Sequence, residues 1–257
     1  MFKFYSVPCA DLIENLAGSL ASIKFSSAFN LNDPYELKFN LVIDPTAQEH
    51  RKQYFKNHPS DTEEDFLSWQ KHAIKHDGYS WYAEQQIRNE IGQSITLCSF
   101  TEGNNSNLMW SHYTANHTGI CIEYHPELFE FFRTLDGFVG IGNIIYADTP
   151  PSVMGLDKLN IIAEKIMFTK QSEWNYEKER RVILRSNNNT DFIQIERKYI
   201  KAIYIGSRTP SDIVKRILEV CQNSDIKVYY GITMGKSYEV SFSEHKEGTG
   251  YMRAFWE

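Results

Sequence analysis

The sequence predicts an α+β protein, a single domain built around a mixed, mainly antiparallel sheet. Short apolar segments rich in β-branched residues and cysteine, such as residues 97–100 (LCSF) and 119–124 (GICIEY), are bounded by Gly and Asn and predict strands. Residues 200–234 predict a strand, an amphipathic helix and a second strand, which is the order of a β-α-β unit. Because no repeat or low-complexity linker interrupts the chain, we expect one domain over residues 1–257.

The N-terminal part combines a helix, a strand and a turn with chemical interest. Asn32, Asp33 and Pro34 predict a turn, because Asn and Asp side chains bond nearby backbone groups and proline restricts the residue before it. This segment is either a plain Asx-type turn or part of a binding site, and Glu36 close behind it favours the second interpretation. The other predicted elements of this part are a helix at residues 10–20 and a short strand at 22–27.

Residues 46–92 are predicted to form a helical insertion within the domain. Asp61 precedes an acidic first turn and is the expected N-cap of the longer helix. His72 and His76 are four residues apart and share a helix face, a spacing that can hold a metal. Lysines adjoin them and no glutamate completes an HExxH motif, so a solvated face is favoured and no metal site is predicted.

The second half of the chain continues the alternation of helices and strands. Two glycines in DGFVGIG have GxG spacing, but the third glycine of a dinucleotide motif and its helix are missing, so this segment is interpreted as a turn. The expected elements are a helix at 126–135, a strand at 143–148, a helix at 155–170 with an apolar stripe, a strand at 179–185, and a helix at 211–225 capped by Ser211.

One connection carries an unusual density of functional side chains. Trp110, His112, Tyr113 and His117 fall within eight positions between the two central strands. A core needs apolar side chains, whereas this group contains two imidazoles, an indole and a phenol. We therefore expect a binding or catalytic site here, with core aromatics and hydrogen-bonded histidines as the alternative for each residue. Ser99, on the strand before the connection, belongs to the same candidate site.

A second dense region spans residues 171–186 and contains Tyr176, Glu177, Glu179 and Arg181. Residues two apart on a strand share a face, so the two carboxylates and the guanidinium are expected to point the same way. Such a face is either a solvated edge with a surface ion pair or a buried polar constellation with a functional role.

Composition restricts the classes of function. A formal net charge of -6 argues against a broad nucleic-acid surface, which needs many Lys and Arg contacts. Four cysteines without a CxxC pair indicate neither a zinc ribbon nor a disulfide framework. No signal sequence or membrane-spanning window is found, so we expect a cytoplasmic protein with no membrane partner. A local basic strip is a candidate nucleic-acid contact: Lys178, Arg180, Arg185, Arg197, Lys198 and Lys201.

Several motifs together resemble one protein family. They are FxxxFNLNDPYE (25–36), LCSFTEG (97–103), LMWSHYTANHTGICIEY (108–124), WNYEKERRV (174–182) and IKAIYIG (200–206), and they resemble the bacterial domain-of-unknown-function family 2971. The order of elements is more loosely similar to DNA-targeting ADP-ribosyltransferase toxins. That similarity implies an ADP-ribosyltransferase-like fold, NAD as co-substrate, and a catalytic glutamate near the start of a late strand.

The resemblance leads to a hypothesis with named roles. Glu179 would be the catalytic carboxylate of an NAD-dependent ADP-ribosyltransferase or glycohydrolase, a toxin or phage-defence effector, with nucleic acid or protein as acceptor. Glu177 would be its partner or the alternative carboxylate, and Arg181 would hold a glutamate or a phosphate. Trp110 and Tyr113 would stack on a ring, while His112 and His117 would donate to phosphate or ribose. Asn32, Asp33, Ser99 and Tyr176 complete the candidate site.

Two other classes of function remain open. A nucleotide-binding sensor would keep the pocket without turnover. A nuclease or phosphoesterase would instead use His112, His117 and acidic residues.

Overall fold

The structure is a computed structural model that describes residues 1–6, 16–42, 48–75, 78–154, 159–186, 190–233 and 237–246. Its strands are β1 (Phe2–Tyr5), β2 (Leu20–Ser27), β3 (Asn40–Val42), β4 (Ile95–Thr101), β5 (Ile120–Tyr124), β6 (Phe138–Asn143), β7 (Ile145–Ala147), β8 (Ser152–Met154), β9 (Thr169–Gln171), β10 (Glu179–Arg185), β11 (Thr190–Glu196), β12 (Ile200–Ile205), β13 (Lys227–Ile232) and β14 (Ser241–Glu244). Its α-helices are α1 (Gln48–Asn57), α2 (Glu63–Lys75), α3 (Gly78–Ser94), α4 (Asn107–Tyr113), α5 (Glu127–Arg133), α6 (Leu159–Met167) and α7 (Ser211–Cys221).

The main sheet is mixed and mainly antiparallel, which confirms the predicted architecture at this level. Its strands run in the order β11-β2-β4-β1-β5-β12-β13-β14, and β10 pairs with both β4 and β6. The pair β12 and β13 is parallel and α7 connects the two strands, so the predicted β-α-β unit is present. Two further two-stranded sheets, β3 with β8 and β7 with β9, lie outside it.

Strand β4 changes partners along one of its edges, and this opens a gap in the sheet. Along the other edge, β10 pairs with β4 from Ile95 to Thr101. On the gapped edge, β2 pairs only opposite Thr96 and Leu97, and β1 pairs only opposite Thr101. The carbonyl oxygen of Ser99 lies between these two pairings and accepts a hydrogen bond from the side-chain ammonium of Lys3 at 3.2 Å.

The two faces of the strands bury different apolar clusters, because side chains alternate along each strand. In β10, Val182 and Leu184 belong to the larger core, which also receives α5 and α7. Ile183 belongs to a second core on the opposite face, covered by α6 and the end of α3. Glu179 and Arg181 share the face of Ile183 and are also buried, so two charged residues lie beside an apolar core.

The predicted helical segment 46–92 contains three helices in the residues described. Helices α1 and α2 share a separate aromatic cluster in which the Tyr54 ring lies 5.3 Å from that of Phe66. Helix α3 instead contributes Ile91 to the second core. The predicted N-cap Asp61 is wrong: Thr62 caps α2 by accepting the Asp65 N–H, and Asp61 accepts the Tyr54 hydroxyl at 2.6 Å.

Other local predictions also required correction. Residues 138–143 form strand β6 and not a turn. The Phe168 ring packs against the glycines of this strand, and a Cβ on Gly142 would lie 3.1 Å from that ring. Ser211 is the first residue of α7, and Pro210 is its N-cap. More than half of the predicted helix 10–20 lies within residues 7–15, which are outside the described residues. His76 is also outside them.

Within the described residues, no helix combines the length and apolar character that crossing a bilayer requires. The same residues contain no group of three or more His, Cys, Asp or Glu side chains arranged to hold a metal ion.

Candidate functional site

Five charged side chains meet beneath the gap in the sheet. Glu36 comes from the turn after β2, Lys170 from β9, Glu177 from the 3-10 helix at Ser172–Glu177, and Glu179 and Arg181 from β10. The side chains of all five are between 1% and 7% exposed. Three carboxylates against two cations give this buried cluster a formal charge of -1. Burying unpaired charge is costly, so the pairing inside the cluster decides what it can do.

Arg181 holds two of the three carboxylates in place through hydrogen bonds. Its Nη1 and Nη2 atoms donate to the two carboxylate oxygens of Glu36 at 3.0 and 2.5 Å. Its Nε donates to Glu179 Oε1 at 2.6 Å, and its Nη2 also lies 3.1 Å from Glu179 Oε2. The main-chain carbonyl of Met167 accepts a further bond from Nη1 at 2.9 Å. A planar guanidinium with its donors engaged in this way fixes the positions of Glu36 and Glu179.

Glu179 is held in its ionised form. Burial opposes ionisation, but the positive charge and hydrogen bonds of Arg181, with Lys170 and Ser99, outweigh it and lower the pKa of Glu179 to about 2. The Ser99 hydroxyl donates to Glu179 Oε1 at 2.5 Å, and the Tyr146 hydroxyl accepts the main-chain N–H of Glu179 at 2.8 Å. A carboxylate with such a low pKa is a poor base at neutral pH.

Glu177 has a different environment. The Tyr113 hydroxyl donates to its Oε1 atom, and the Lys170 ammonium donates to its Oε2 atom at 2.7 Å. Burial raises the pKa of Glu177 above its usual range, because it outweighs the attraction of Lys170 and the hydrogen bond from Tyr113, and nearby Glu179 adds repulsion. The same carboxylates keep Lys170 charged and raise its pKa despite burial. Glu177 is therefore the carboxylate of the cluster best suited to accept a proton.

Local backbone conformation explains how Glu177 reaches the cluster. It was predicted to share a strand face with Glu179 and Arg181, but it ends a 3-10 helix instead. Lys178 follows in the left-handed conformation at φ 43°, and β10 begins at the next residue. This turn delivers both glutamates to one place even though only Glu179 belongs to the strand. The alternative of a solvated edge is excluded, because both carboxylates are buried.

The cluster forms part of the wall of a cleft of about 820 Å³. Asn32, Glu36, Ser99 and Tyr113 line this first cleft together with the other four members of the charged cluster. The lining also includes two further cations and two aromatic rings, in the form of Lys3, Lys24, Phe2 and Phe4. This lining combines apolar and polar groups, as small-molecule sites do.

The central connection divides between the first cleft and the protein core. Tyr113 faces the cleft, but Trp110 is fully buried beside Phe4 and donates through Nε1 to the Asn104 carbonyl at 2.5 Å. His117 stacks on Trp110 with ring centroids 6.0 Å apart, and its Nε2 lies 3.0 Å from Asn107 Oδ1. Burial lowers the pKa of His117, which favours a neutral ring. Trp110 and His117 thus pack as a buried pair away from the charged cluster.

The remaining predicted residues occupy the edges of the site. His112 is exposed, and its ring lies 6.2 Å from that of Tyr176. Asp33 forms the Asx-type turn, accepting the Tyr35 N–H at 2.8 Å, and this turn brings Glu36 into the cluster. Asn32, adjacent to it, is exposed at the first cleft.

The predicted basic strip is dispersed over different partners. Lys198 pairs with Glu196 at 2.7 Å, and Lys201 pairs with Glu123 at 2.6 Å. Arg197 donates to the Val220 carbonyl, while Arg180 lies over the Phe129 ring on the face opposite Glu179. In the sheet, β10 and β12 are separated by β4, β1 and β5.

Sequence reasoning missed two important members of the site. Lys170 lies in a short polar strand, where a lysine normally signals solvent exposure, and no spacing pattern connects it to the glutamates. Tyr146 lies in another three-residue strand with no distinctive pattern. Glu36 was noticed beside the turn but not assigned to the site. A lysine followed closely by the segment SEWNYEKE was the only available signal for Lys170.

Comparison with known proteins gives one match. Residues 109–182 match the model of a family described as a protein of unknown function (DUF2971). The match covers under a third of the chain, includes Tyr113, Lys170, Glu177, Glu179 and Arg181, and supports the family resemblance. No curated protein and no solved structure matches the chain significantly. The similarity to ADP-ribosyltransferase toxins receives no support from these comparisons.

Proposed function

We propose that this protein binds NAD in the first cleft and breaks the bond between nicotinamide and ribose, as an ADP-ribosyltransferase-like enzyme. The observation that carries the proposal is Glu177, a carboxylate of raised pKa on the cleft wall that belongs to a buried cluster of formal charge -1. Cleavage of this bond places positive charge on the ribose, and fixed negative charge in a buried site favours that change.

The two glutamates have different roles in this proposal. Glu177 would accept the proton of the attacking nucleophile, because its pKa lies closer to neutrality than that of Glu179. Glu179 would act through its fixed negative charge and by holding Arg181 in place. In this proposal Glu177 is the reacting carboxylate, and the assignment of that role to Glu179, made from the sequence, stays an untested prediction.

The lining of the first cleft suits a dinucleotide in charge and polarity. Glu177 and Glu179 would stabilise the cationic nicotinamide end, and Lys3 and Lys24, which also line the cleft, would contact the diphosphate. The Ser99 peptide borders the unpaired part of β4, where its carbonyl accepts a hydrogen bond from the Lys3 ammonium and helps to hold that cation at the cleft. When bound, NAD supplies the glycosidic bond to be broken; the chain supplies the charge, the orientation and the base.

Incubation with NAD labelled in the nicotinamide ring tests this function. We expect wild-type protein to release nicotinamide, with kcat/KM rising through a pKa above the usual glutamate range. Glu177→Gln should lower kcat by at least about a hundredfold, the usual contribution of a general base, while keeping NAD affinity. Glu173→Gln, an exposed glutamate of the same 3-10 helix, is the matched control. Absence of nicotinamide release by the wild type would refute the proposal.

Toxicity belongs to the same proposal. Depletion of NAD stops growth, so the activity would suit a toxin or a phage-defence effector. Expression of the wild type in a bacterium should slow growth, and expression of Glu177→Gln at equal level should not. Equal growth of both strains would remove this biological role without affecting the chemistry.

A nucleotide-binding sensor without turnover is the second candidate. It is favoured by the hydrogen bonding of Glu177, since Tyr113 engages one carboxylate oxygen and Lys170 the other. In this case NAD or a nucleotide would bind saturably in calorimetry with no nicotinamide release. Lys3→Met would weaken that binding in a salt-dependent manner, because a phosphate contact would be lost. The nuclease hypothesis with His112 and His117 remains an untested prediction, which no contact described above favours.

A further inference from the structure

A second cleft lies behind the charged cluster. It has a volume of about 700 Å³ and lies between the turn 33–38, residues 147–151 and strand β9. Among the described residues, only two line both clefts, and these are Glu36 and Lys170. Their side chains are 4% and 7% exposed and their charged atoms are 3.6 Å apart. The partition between the clefts is therefore a single ion pair.

Glu36 and Lys170, the two residues of this ion pair, are held by different kinds of contact. Both carboxylate oxygens of Glu36 accept bonds from the Arg181 guanidinium, which is itself fixed by Glu179 and the Met167 carbonyl. Lys170 is a point charge on a flexible four-carbon stem, and it extends from the short strand β9. Its ammonium contacts Glu177 at 2.7 Å and Glu179 at 3.5 Å. Rotation of the lysine stem would join the clefts at Glu177 without moving Glu36.

We propose that the second cleft is the acceptor site, through which a hydroxyl-bearing nucleophile reaches Glu177 when Lys170 moves aside. This inference rests on the proposed function of the first cleft. A dinucleotide bound in the first cleft would occupy the side of Glu177 that faces β1 and β2. Displacement at the ribose carbon needs a nucleophile from the face away from the leaving nicotinamide, and the second cleft supplies such an approach.

The lining of the second cleft suits a hydroxyl compound. Thr149 and Thr169 contribute hydroxyls, Gln171 an amide, and Asp33 and Asp148 carboxylates. These groups donate to and accept from alcohols. In the transfer step, the hydroxyl oxygen forms a bond to the ribose carbon and the carbon–nitrogen bond breaks. Nicotinamide leaves with that electron pair, and the hydroxyl proton passes to the Glu177 carboxylate. Water would react in the same way and give ADP-ribose.

Competition between glycerol and water tests this inference. NAD is incubated with wild-type protein in the presence of glycerol, and the glyceryl adduct and ADP-ribose are quantified by mass spectrometry. Ala147→Phe and, separately, Thr149→Phe fill the second cleft from positions outside the first. Each should lower the adduct-to-ADP-ribose ratio by about tenfold or more, the order seen when a pocket loses room for a substrate group, with an unchanged Kd for NAD. Val139→Phe, at an exposed position of β6, should leave the ratio unchanged.

The contrary outcomes separate the two proposals. Nicotinamide release with the same product ratio in wild type, Ala147→Phe and Thr149→Phe would overturn the second cleft as acceptor site and leave the proposed function intact. A ratio lowered instead by Asn32→Phe, which fills the first cleft, would assign the acceptor to that cleft. No nicotinamide release from wild-type protein would overturn both.

Discussion

At the scale of single residues, Arg181 is the side chain on which the site depends. It is 1% exposed and is the contact between Glu36, Glu179 and the Met167 carbonyl. Arginine suits this position because its planar fork satisfies two carboxylates at once. Lysine could not, since a single ammonium has no fork to present. The buried negative charge that the proposed chemistry needs is therefore stable only while this guanidinium is present.

Removing the guanidinium should destabilise the protein strongly. We expect Arg181→Met to lower the free energy of unfolding by roughly 3–5 kcal/mol, because Glu36 and Glu179 would remain buried without their main partner. Arg185→Met, at the exposed end of the same strand, is the matched control and should change it by under about 0.5 kcal/mol. Urea denaturation of the three proteins measures the difference. Equal stability of the two variants would contradict the assigned role of Arg181.

Glu179 should make the protein sensitive to acid. Its pKa is lowered from 4.5 to about 2 in the folded protein, so its stabilising contribution is complete above pH 4.5 and is lost as the pH falls toward about 2. Arg181, Lys170 and Ser99 lower this pKa against the effect of burial, and Glu177 is the neighbouring carboxylate. Glu179→Gln should lose stability at neutral pH and show a flatter decline over the acid range. Denaturation midpoints across that range provide the measurement; parallel curves would show that Glu179 does not titrate in this manner.

At the scale of elements, the turn after α4 joins two parts of the sheet. Ala115, Asn116 and His117 have φ values of 48°, 58° and 69°, a left-handed run that reverses the chain into β5. The His117 carbonyl then accepts the Arg208 N–H at 3.0 Å, and the Gly119 carbonyl accepts the Gly206 N–H at 2.9 Å. Residues 115–119 of the motif that suggested catalysis therefore have a structural role. They form a connection, here called the joint, between α4 and the end of β12.

This joint should not tolerate a side chain at position 206. A Cβ on Gly206 would lie 2.2 Å from the His117 carbonyl oxygen, so Gly206→Ala must displace main chain. We expect a loss of about 1–3 kcal/mol or more in unfolding free energy. Gly140→Ala is the control, since its Cβ would lie 3.8 Å from the Phe168 ring, which is ordinary contact. If the two variants have the same melting temperature, the close approach at the joint does not affect the stability of the protein.

At the scale of the whole molecule, the site exists because β4 changes partners. β2 leaves β4 after Leu97 and β1 joins it only at Thr101, and the charged cluster lies beside this gap. Helix α3 supports the same region, with Arg88 donating to the Glu36 carbonyl at 3.4 Å and Ile91 buried in the second core. Helices α1 and α2 have an aromatic cluster of their own and supply no residue lining the first cleft.

The helices α1 and α2 should therefore be dispensable for the site. Replacing residues 48–75 with a short Gly/Ser linker should leave a folded protein with unchanged NAD affinity, because the cleft and both main cores are built elsewhere. Ile91→Ala in α3 should instead cost about 2–5 kcal/mol, through the cavity it leaves in the second core. Circular dichroism and NAD titration compare these variants. An unfolded linker variant would show that α1 and α2 belong to the folding unit of the cleft.

The sequence by itself determined the local elements. Alternation and turn residues predicted β4, β5, β10, β12 and the β-α-β unit, because side-chain periodicity is a local property of strands and helices. It also identified Tyr113, Glu177, Glu179 and Arg181 as an unusual concentration of polar groups. The turn expected at 138–142 proved to be a strand, since its glycines are explained by the Phe168 ring, a distant residue that no local pattern reveals.

Only the tertiary structure decided which polar residues meet. Trp110 and Tyr113 are neighbours on one short helix, yet the first is buried in a core cluster and the second contacts Glu177. Lys170 and Glu36 join the cluster from distant segments, and their charged atoms lie 3.6 Å apart. Burial and long-range pairing set the pKa values of Glu177 and Glu179 in opposite directions. These quantities depend on the surroundings of a side chain in space, and spacing along the chain does not encode them.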